Sequence, residues 1–154
     1  MAKCPVGMKM VSKKSFQVPR YRLWEIIREP GNQPAWNPKC VECEDIGQCV
    51  VGAKFAVTYE MKGIRQKATG EVLDIQAEHK LTYRYHYEDD KIMGSVDEHF
   101  ELIEAGMDKT TLVHTVDFQN SSLPRWVKWL IGLMSRFGRT VGPDPLDGLD
   151  DLLK

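Results

Sequence analysis

"VDEHFELIEAGMDKTTLVHTVDF", residues 96–118, has the pattern of two β-strands joined by a tight turn. On one face of this predicted hairpin, the alternation predicts core-facing apolar residues at Val96, Phe100, Leu102, Leu112, Val116 and Phe118. The same face also carries two ionisable residues, Glu98 and His114. Because an unpaired carboxylate is costly to bury, we expect these two side chains to pair with each other.

The hairpin ends a longer series of strand-like segments. A first strand is predicted at 8–18, and further runs lie at roughly 40–46, 53–61, 66–75, 80–88, 93–104 and 110–119. Between the first two runs, "RYRLWEIIRE" (20–29) has helical spacing, and "NQPAWNP" (32–38) predicts a loop or a single helical turn. Closely spaced strands with short connections favour an antiparallel sheet.

The tail of the chain is predicted to be helical and unusually apolar. "SSLPRWVKWLIGLMSRFGR" (121–139) has one narrow polar stripe, "GPDP" (142–145) breaks the helix, and "PLDGLDDLLK" (145–154) starts a short amphipathic one. We expect both halves to pack on the concave face of the sheet, against Tyr59, Tyr85 and Phe118. An apolar surface of this kind also suits a partner, a membrane surface or a homodimer.

Length and composition indicate an ordinary globular protein. The 154 residues predict a single domain, 1–154, and the formal net charge of −1 gives no reason to expect nucleic-acid binding. No apolar run approaches the roughly 18 residues of a membrane span, so we expect no transmembrane segment. The amino terminus, "MAKCPVGMKM", lacks a secretory pattern, and we therefore expect a cytoplasmic location.

Two of the four cysteines form a CxxC motif, "CVEC", at residues 40–43. A structural zinc site needs a second pair of ligands at matching spacing, and the sequence offers none. In a regular strand Cys40 and Cys43 point to opposite faces. We therefore expect no metal, no disulfide between them and no cofactor.

Face parity predicts how the strands pair. The model that keeps inward residues opposite inward residues places Val57, Gly70, Tyr83, Glu98 and His114 in one row across five strands. In this register opposite charges meet on the outward face, at Glu60–Lys67, Arg84–Asp97 and Lys80–Glu101. A small glycine beside Tyr83 leaves space there for something other than protein.

The order of elements and several short motifs resemble the START-like (SRPBCC) superfamily, most closely its polyketide cyclase/dehydrase-type members. The residues that carry the resemblance are "AWNP" (35–38), "VGAKF" (51–55), "GEVLDIQAEHKLTYRY" (70–85) and the leucine-rich end of the chain. The resemblance implies an α+β helix-grip fold, in which a curved seven-stranded antiparallel sheet wraps around a C-terminal helix and encloses a cavity. "GPDP" departs from the single long helix that is usual in the family.

We therefore expect a protein that binds a hydrophobic or aromatic small molecule between the sheet and the C-terminal helix. The predicted ligand-binding residues are Val57, Tyr59, Gly70, Tyr83, Tyr85, Glu98, His114 and Phe118. In an enzyme alternative, similar to polyketide cyclases and dehydratases, the acid/base groups are Tyr83, Glu98 and His114. Two further alternatives are a Glu98–His114 pair that only holds the sheet, and an interaction protein that uses the 123–139 helix.

Overall fold

The computed structural model describes residues 9–47, 49–61, 63–88, 94–118 and 145–153. The strands are β1 (Lys9–Phe16), β2 (Cys40–Cys43), β3 (Lys54–Met61), β4 (Ile64–Gln76), β5 (Lys80–Tyr87), β6 (Ser95–Gly106) and β7 (Lys109–Asp117). The helices are α1 (Arg20–Ile27), α2 (Gln33–Trp36), which follows a 3-10 turn at Pro30–Asn32, and α3 (Pro145–Leu153).

The seven strands of the described ranges form one curled antiparallel sheet in the order β1-β7-β6-β5-β4-β3-β2. Consecutive strands from β2 to β7 are neighbours, and β1 joins the free edge of β7. The predicted antiparallel meander is confirmed. Its short connections leave the inward face to be covered by helices.

The inward face of the sheet is apolar and aromatic. The parity predicted for the 96–118 hairpin is confirmed, because Phe100, Leu102 and Leu112 are buried while Asp97 and His99 on the other face are only half-buried. Helix α1 covers part of this face with three buried residues, Leu23, Trp24 and Ile27. The core therefore lies between the sheet and the helices.

Helix α3 packs against α2 and β1. Its Leu146 and Leu149 are completely buried, and a methyl group added at Gly148 would overlap the carbonyl oxygen of Trp36. On the outer side, Lys14 Nζ lies 2.8 Å from Asp147 Oδ1. The predicted 123–139 helix, and the homodimer expected through it, lie outside the described residues. Among the residues that are described, no helix is long and apolar enough to cross a membrane.

The predicted strand register is correct between β5 and β6 but wrong elsewhere. Tyr83 lies opposite Glu98 as expected, whereas β3–β4 and β6–β7 are each shifted by two residues, and β4–β5 is shifted and carries a bulge at Leu73. Tight turns explain the first two shifts: the turn after β3 contains Gly63 and the turn after β6 contains Asp108, both with positive φ. Turn geometry fixes the register of a hairpin, and weak charge pairs do not override it.

The charge pairs predicted on the outward face are correct between β5 and β6 and wrong between β3 and β4. Arg84–Asp97 and Lys80–Glu101 are opposite each other as predicted, but Glu60 lies opposite Arg65 rather than Lys67. Asp97 also lies opposite Asp117, a like-charge pairing that is unfavourable by itself. Arg84 donates two hydrogen bonds to Asp97, of 2.8 and 3.0 Å, and this compensates the Asp97 charge.

Removing this compensation should destabilise the sheet. We expect Arg84→Gln to lower the free energy of unfolding by about 1 kcal/mol, because Asp97 then faces Asp117 without its partner. Urea denaturation at neutral pH measures the change. Adding Asp117→Asn to the variant should recover part of the loss, and an equal loss with and without Asp117→Asn would contradict this explanation.

The expectation that Cys40 and Cys43 point apart is wrong. A bulge between Cys40 and Glu42 inserts Val41 as an extra residue, so that Cys40 lies opposite Tyr59 and Cys43 opposite Val57. Tyr59 and Val57 are both inward residues of β3. A bulge of one residue changes the side-chain parity of a strand, and it brings both thiols to the inward face.

Candidate functional site

Glu98 on β6 and His114 on β7 form a buried hydrogen-bonded pair on the inward face. His114 Nε2 lies 2.7 Å from Glu98 Oε1, and the two residues are 5% and 8% exposed. They are diagonal neighbours, because His114 lies opposite Phe100 and Glu98 opposite Val116. The His114 ring stacks on Phe100 with the centroids 4.7 Å apart. The two ionisable residues of the hairpin thus satisfy each other in an apolar setting, although not as direct cross-strand partners.

Tyr83 is the cross-strand neighbour of Glu98, but its hydroxyl points to helix α1. It lies opposite Glu98, and its hydroxyl donates to the Ile27 carbonyl oxygen over 3.3 Å. The thiol of Cys49 is 4.0 Å from the same hydroxyl. Tyr83 therefore ties β5 to the end of α1.

Gln33 is a polar residue of the interior that the sequence did not indicate. Tyr59 donates to Gln33 Oε1 over 2.9 Å, and Gln33 Nε2 donates to the Tyr85 hydroxyl over 3.1 Å. The two tyrosine rings meet edge to face with centroids 5.7 Å apart. Gln33 follows Pro30-Gly31-Asn32 in a stretch without apolar periodicity. The spacing of apolar residues therefore could not predict that Gln33 is buried.

The space expected beside Gly70 is occupied by Phe55. Gly70 lies opposite Phe55 and Tyr85, not Tyr83, and a methyl group added at Gly70 would overlap the Phe55 ring. Phe55 itself is 1% exposed. Because Gly70 has no side chain, the Phe55 ring can lie across its strand. Phe55 therefore lines the interior at this point.

The predicted lining residues fall into two groups. Val57 lies in the main core with Tyr59, Tyr83 and Tyr85. Phe118 lies in a second cluster, with Met10 and Val96, near the ends of the strands. Tyr87 packs against both clusters and lies between Phe118 and the other tyrosines.

Trp36 adds an unpaired donor to this interior. Its Nε1 is buried and has no hydrogen-bond partner among the described residues, and the residue is 3% exposed. The ring meets Phe100 edge-on, with centroids 6.0 Å apart, and Phe100 stacks on His114. Buried polar groups without partners are rare in folded proteins, and each is a candidate position for a ligand or a water molecule.

Burial keeps the tyrosines of the inward face neutral. It raises the pKa of Tyr59, Tyr83 and Tyr85 well above the ordinary value of 10.0, and the charge of Glu98 adds to this effect. Burial, with Glu98 second, also raises the pKa of Tyr87. A phenolate at any of these positions would be deprived of hydration and would be repelled by the Glu98 carboxylate, so the neutral phenol is favoured.

These shifts predict a stability that falls at alkaline pH. The unfolded chain ionises its tyrosines near pH 10, whereas the folded chain keeps these four protonated. The contribution of these tyrosines to the free energy of unfolding is therefore fully present below pH 10. It is lost as the pH rises from there through their pKa values in the folded protein. Thermal unfolding between about pH 8 and pH 11, with phenolate absorbance recorded in parallel, measures it. Ionisation of these tyrosines in the still-folded protein near pH 10 would contradict the assignment.

The described part of the chain contains no group of three side chains suited to a metal ion. The arrangement instead offers a carboxylate–imidazole pair and an indole N–H within a wall of aromatic side chains. Such a combination can fix the orientation of an apolar molecule that carries a few polar atoms. A carboxylate–imidazole pair can also move a proton.

Comparisons with known proteins agree with this architecture. Residues 8–142 match the model of the family described as polyketide cyclase/dehydrase and lipid transport. No curated protein matches the sequence significantly.

Several solved structures are similar in fold at low sequence identity. A START superfamily protein from Mycobacterium smegmatis is 17% identical, with a TM-score of 0.71 over 96% of this chain and 99% of that one. Major latex-like protein 151 from Panax ginseng is 16% identical, with a TM-score of 0.64 over 94% and 95% of the two chains. A protein from Mesorhizobium loti is 18% identical, with a TM-score of 0.65 over 94% and 96%. At these identities the likeness concerns the fold, and the predicted helix-grip fold is confirmed.

Proposed function

Because this chain belongs to the polyketide cyclase/dehydrase and lipid transport family, we propose that it binds a hydrophobic or aromatic small molecule against the inward face of the sheet. The observation that carries the proposal is the 2.7 Å Glu98–His114 hydrogen bond within an otherwise apolar and aromatic wall. One hydrogen bond uses only part of the acceptor capacity of a carboxylate. Glu98 is therefore the polar anchor of the site.

The other wall residues define what kind of molecule suits the site. The Tyr59 hydroxyl donates to Gln33 and the Tyr85 hydroxyl accepts from it, so both residues are held by Gln33 and present mainly their ring surfaces. Glu98 accepts a hydrogen bond, and Trp36 Nε1 supplies a donor for which the described residues provide no acceptor. The best ligand is a flat apolar molecule with a hydroxyl group for Glu98 and an acceptor atom for Trp36.

Native mass spectrometry of the purified full-length protein, to identify co-purified molecules, is the first test. Fluorescence titration with β-naphthol, an aromatic bicycle with one hydroxyl, then measures the role of Glu98. We expect Glu98→Gln to weaken binding about tenfold, because a hydrogen bond to a charged group is replaced by one to a neutral amide.

Glu101→Gln is the matched control, since Glu101 lies on the same strand but is exposed on the outward face. It should leave the affinity for β-naphthol unchanged. Equal affinity in wild type and Glu98→Gln, with both proteins folded, would show that the pair holds the sheet and contacts no ligand.

The enzyme alternative is favoured by the same short Glu98–His114 contact, since a carboxylate that orients an imidazole is a common acid/base couple. Tyr83 suits this role less well, because its hydroxyl already donates to Ile27. Incubating a co-purified molecule with wild type and with His114→Gln distinguishes the two functions. Conversion by wild type alone supports catalysis, and recovery of the unchanged molecule from both supports binding.

A further inference from the structure

We propose that Cys40 and Cys43 form a dithiol site, at which a peroxide oxidant produces an intramolecular disulfide. The CxxC motif lies on β2, at the edge of the sheet, and it has no part in the proposed ligand anchor. This inference is independent of ligand binding, because it depends only on the bulge in β2 and on the surroundings of the two thiols.

The bulge sets the separation of the two cysteines. They lie opposite Tyr59 and Val57, which are two residues apart on β3. Two residues of strand span roughly 6.6 Å, which is within the Cα–Cα range of about 4.4–6.8 Å for disulfides. Without the bulge, residues three apart would span roughly 10 Å and point to opposite faces. The extra residue, Val41, thus converts an unsuitable spacing into a suitable one.

The surroundings confirm that the thiols share a face and differ in access. Cys40 is 5% exposed within the main core, and Cys43 is half-buried and packs against the same core. Their sulfur atoms lie 3.6 Å from the Glu42 carbonyl oxygen and 3.8 Å from the Glu44 carbonyl oxygen, respectively. The neighbouring Cys40 thiol, followed by burial, raises the pKa of the Cys43 thiol. The two side chains are therefore neighbours on the inward face of β2.

The difference in exposure assigns the two roles. The Cys43 thiolate attacks one oxygen of hydrogen peroxide, the O–O bond breaks, the other oxygen leaves as hydroxide, and Cys43 becomes a sulfenic acid. Cys40 sulfur then attacks the Cys43 sulfur, the S–O bond breaks, and the Cys40 proton leaves with the hydroxyl as water. Two thiols and one peroxide thus give one disulfide and two water molecules, and a thiol reductant reverses the change.

Competing assignments are less well supported. Cys49 lies outside β2, with its thiol 4.0 Å from the Tyr83 hydroxyl, and therefore does not share the register that brings Cys40 and Cys43 to one face. A metal held by Cys40 and Cys43 would need further ligands, and the described ranges contain no group of three suitable side chains. The pairing Cys40–Cys43 is thus the one that the geometry favours.

Two variants of the full-length protein isolate the pair. Cys4→Ser/Cys49→Ser retains only Cys40 and Cys43, and Cys4→Ser/Cys40→Ser retains Cys43 and Cys49. After treatment with hydrogen peroxide, the first should lose both thiols and about 2 Da of intact mass, and dithiothreitol should restore them. The second should form no disulfide, and dimedone should trap a sulfenic acid on Cys43.

The pH dependence of the reaction gives a second measurement. Because the pKa of Cys43 is raised, the initial rate should increase about tenfold per pH unit between about pH 7 and pH 9. A rate that levels off near pH 7 would contradict Cys43 as the attacking group. Two intact thiols in folded Cys4→Ser/Cys49→Ser after exposure to peroxide, or a disulfide in Cys4→Ser/Cys40→Ser, would overturn the proposal.

Discussion

Replacement of Glu98 by alanine should lower the free energy of unfolding by about 3–5 kcal/mol. The substitution removes one partner of a buried hydrogen-bonded pair and leaves the His114 imidazole without its acceptor, at a position that is only 5% exposed. It also leaves a void beside His114, which stacks on the Phe100 ring. Urea denaturation of wild type and variant at neutral pH gives the difference.

Two further variants separate the loss of the pair from the loss of side-chain volume. Glu98→Leu/His114→Leu replaces both polar groups by apolar ones, and it should be much more stable than Glu98→Ala. Glu101→Ala, on the exposed face of the same strand, should change stability by less than about 0.5 kcal/mol. If Glu98→Ala were no more harmful than Glu101→Ala, the pair would not be the buried, mutually satisfied one described here.

Gly70→Ala should be the second strongly destabilising change, with a loss of about 1–3 kcal/mol. The added methyl group would overlap the ring of Phe55, which is 1% exposed and meets Tyr83 and Tyr85 edge to face. The ring cannot move aside without disturbing these contacts. The midpoint of thermal or urea unfolding measures the loss.

A smaller side chain at position 55 provides the control. In the Phe55→Leu background, Gly70→Ala should cost less than it does in wild type, because part of the overlapping ring is gone. Strictly additive losses in Phe55→Leu/Gly70→Ala would contradict the assigned contact between these two residues.

The faces of the strands were predictable from sequence because burial imposes a period of two. Phe100, Leu102 and Leu112 lie inside as the alternation required, and Glu98 and His114 lie there with them. The contact between the latter two survives a register error of two residues, because a carboxylate and an imidazole are long enough to meet diagonally across neighbouring strands.

The register and the bulges were not predictable in the same way. Turns at Gly63 and Asp108 adopt positive φ and fix two hairpins, whereas the charge pairs that suggested another register contribute little energy. The inserted Val41 in β2 changes the face of Cys40 without any change in composition. Gln33 completes the interior through tertiary contacts, on which local periodicity has no bearing. Phe55 shares the inward parity of Val57 and Tyr59, and only its position over Gly70 was not predictable from the alternation.

The most direct test of the proposed site uses the four histidines as reporters. His114 is buried beside Glu98, whereas His79 and His86 are exposed and His99 is half-buried on the outward face. Imidazole nitrogen and carbon-bound proton signals, recorded by NMR during titration of the full-length protein with β-naphthol, report on each ring. If the ligand binds at Glu98, the His114 signals shift in proportion to occupancy and the other three remain in place. Saturable binding that leaves the His114 signals unchanged would contradict the proposal.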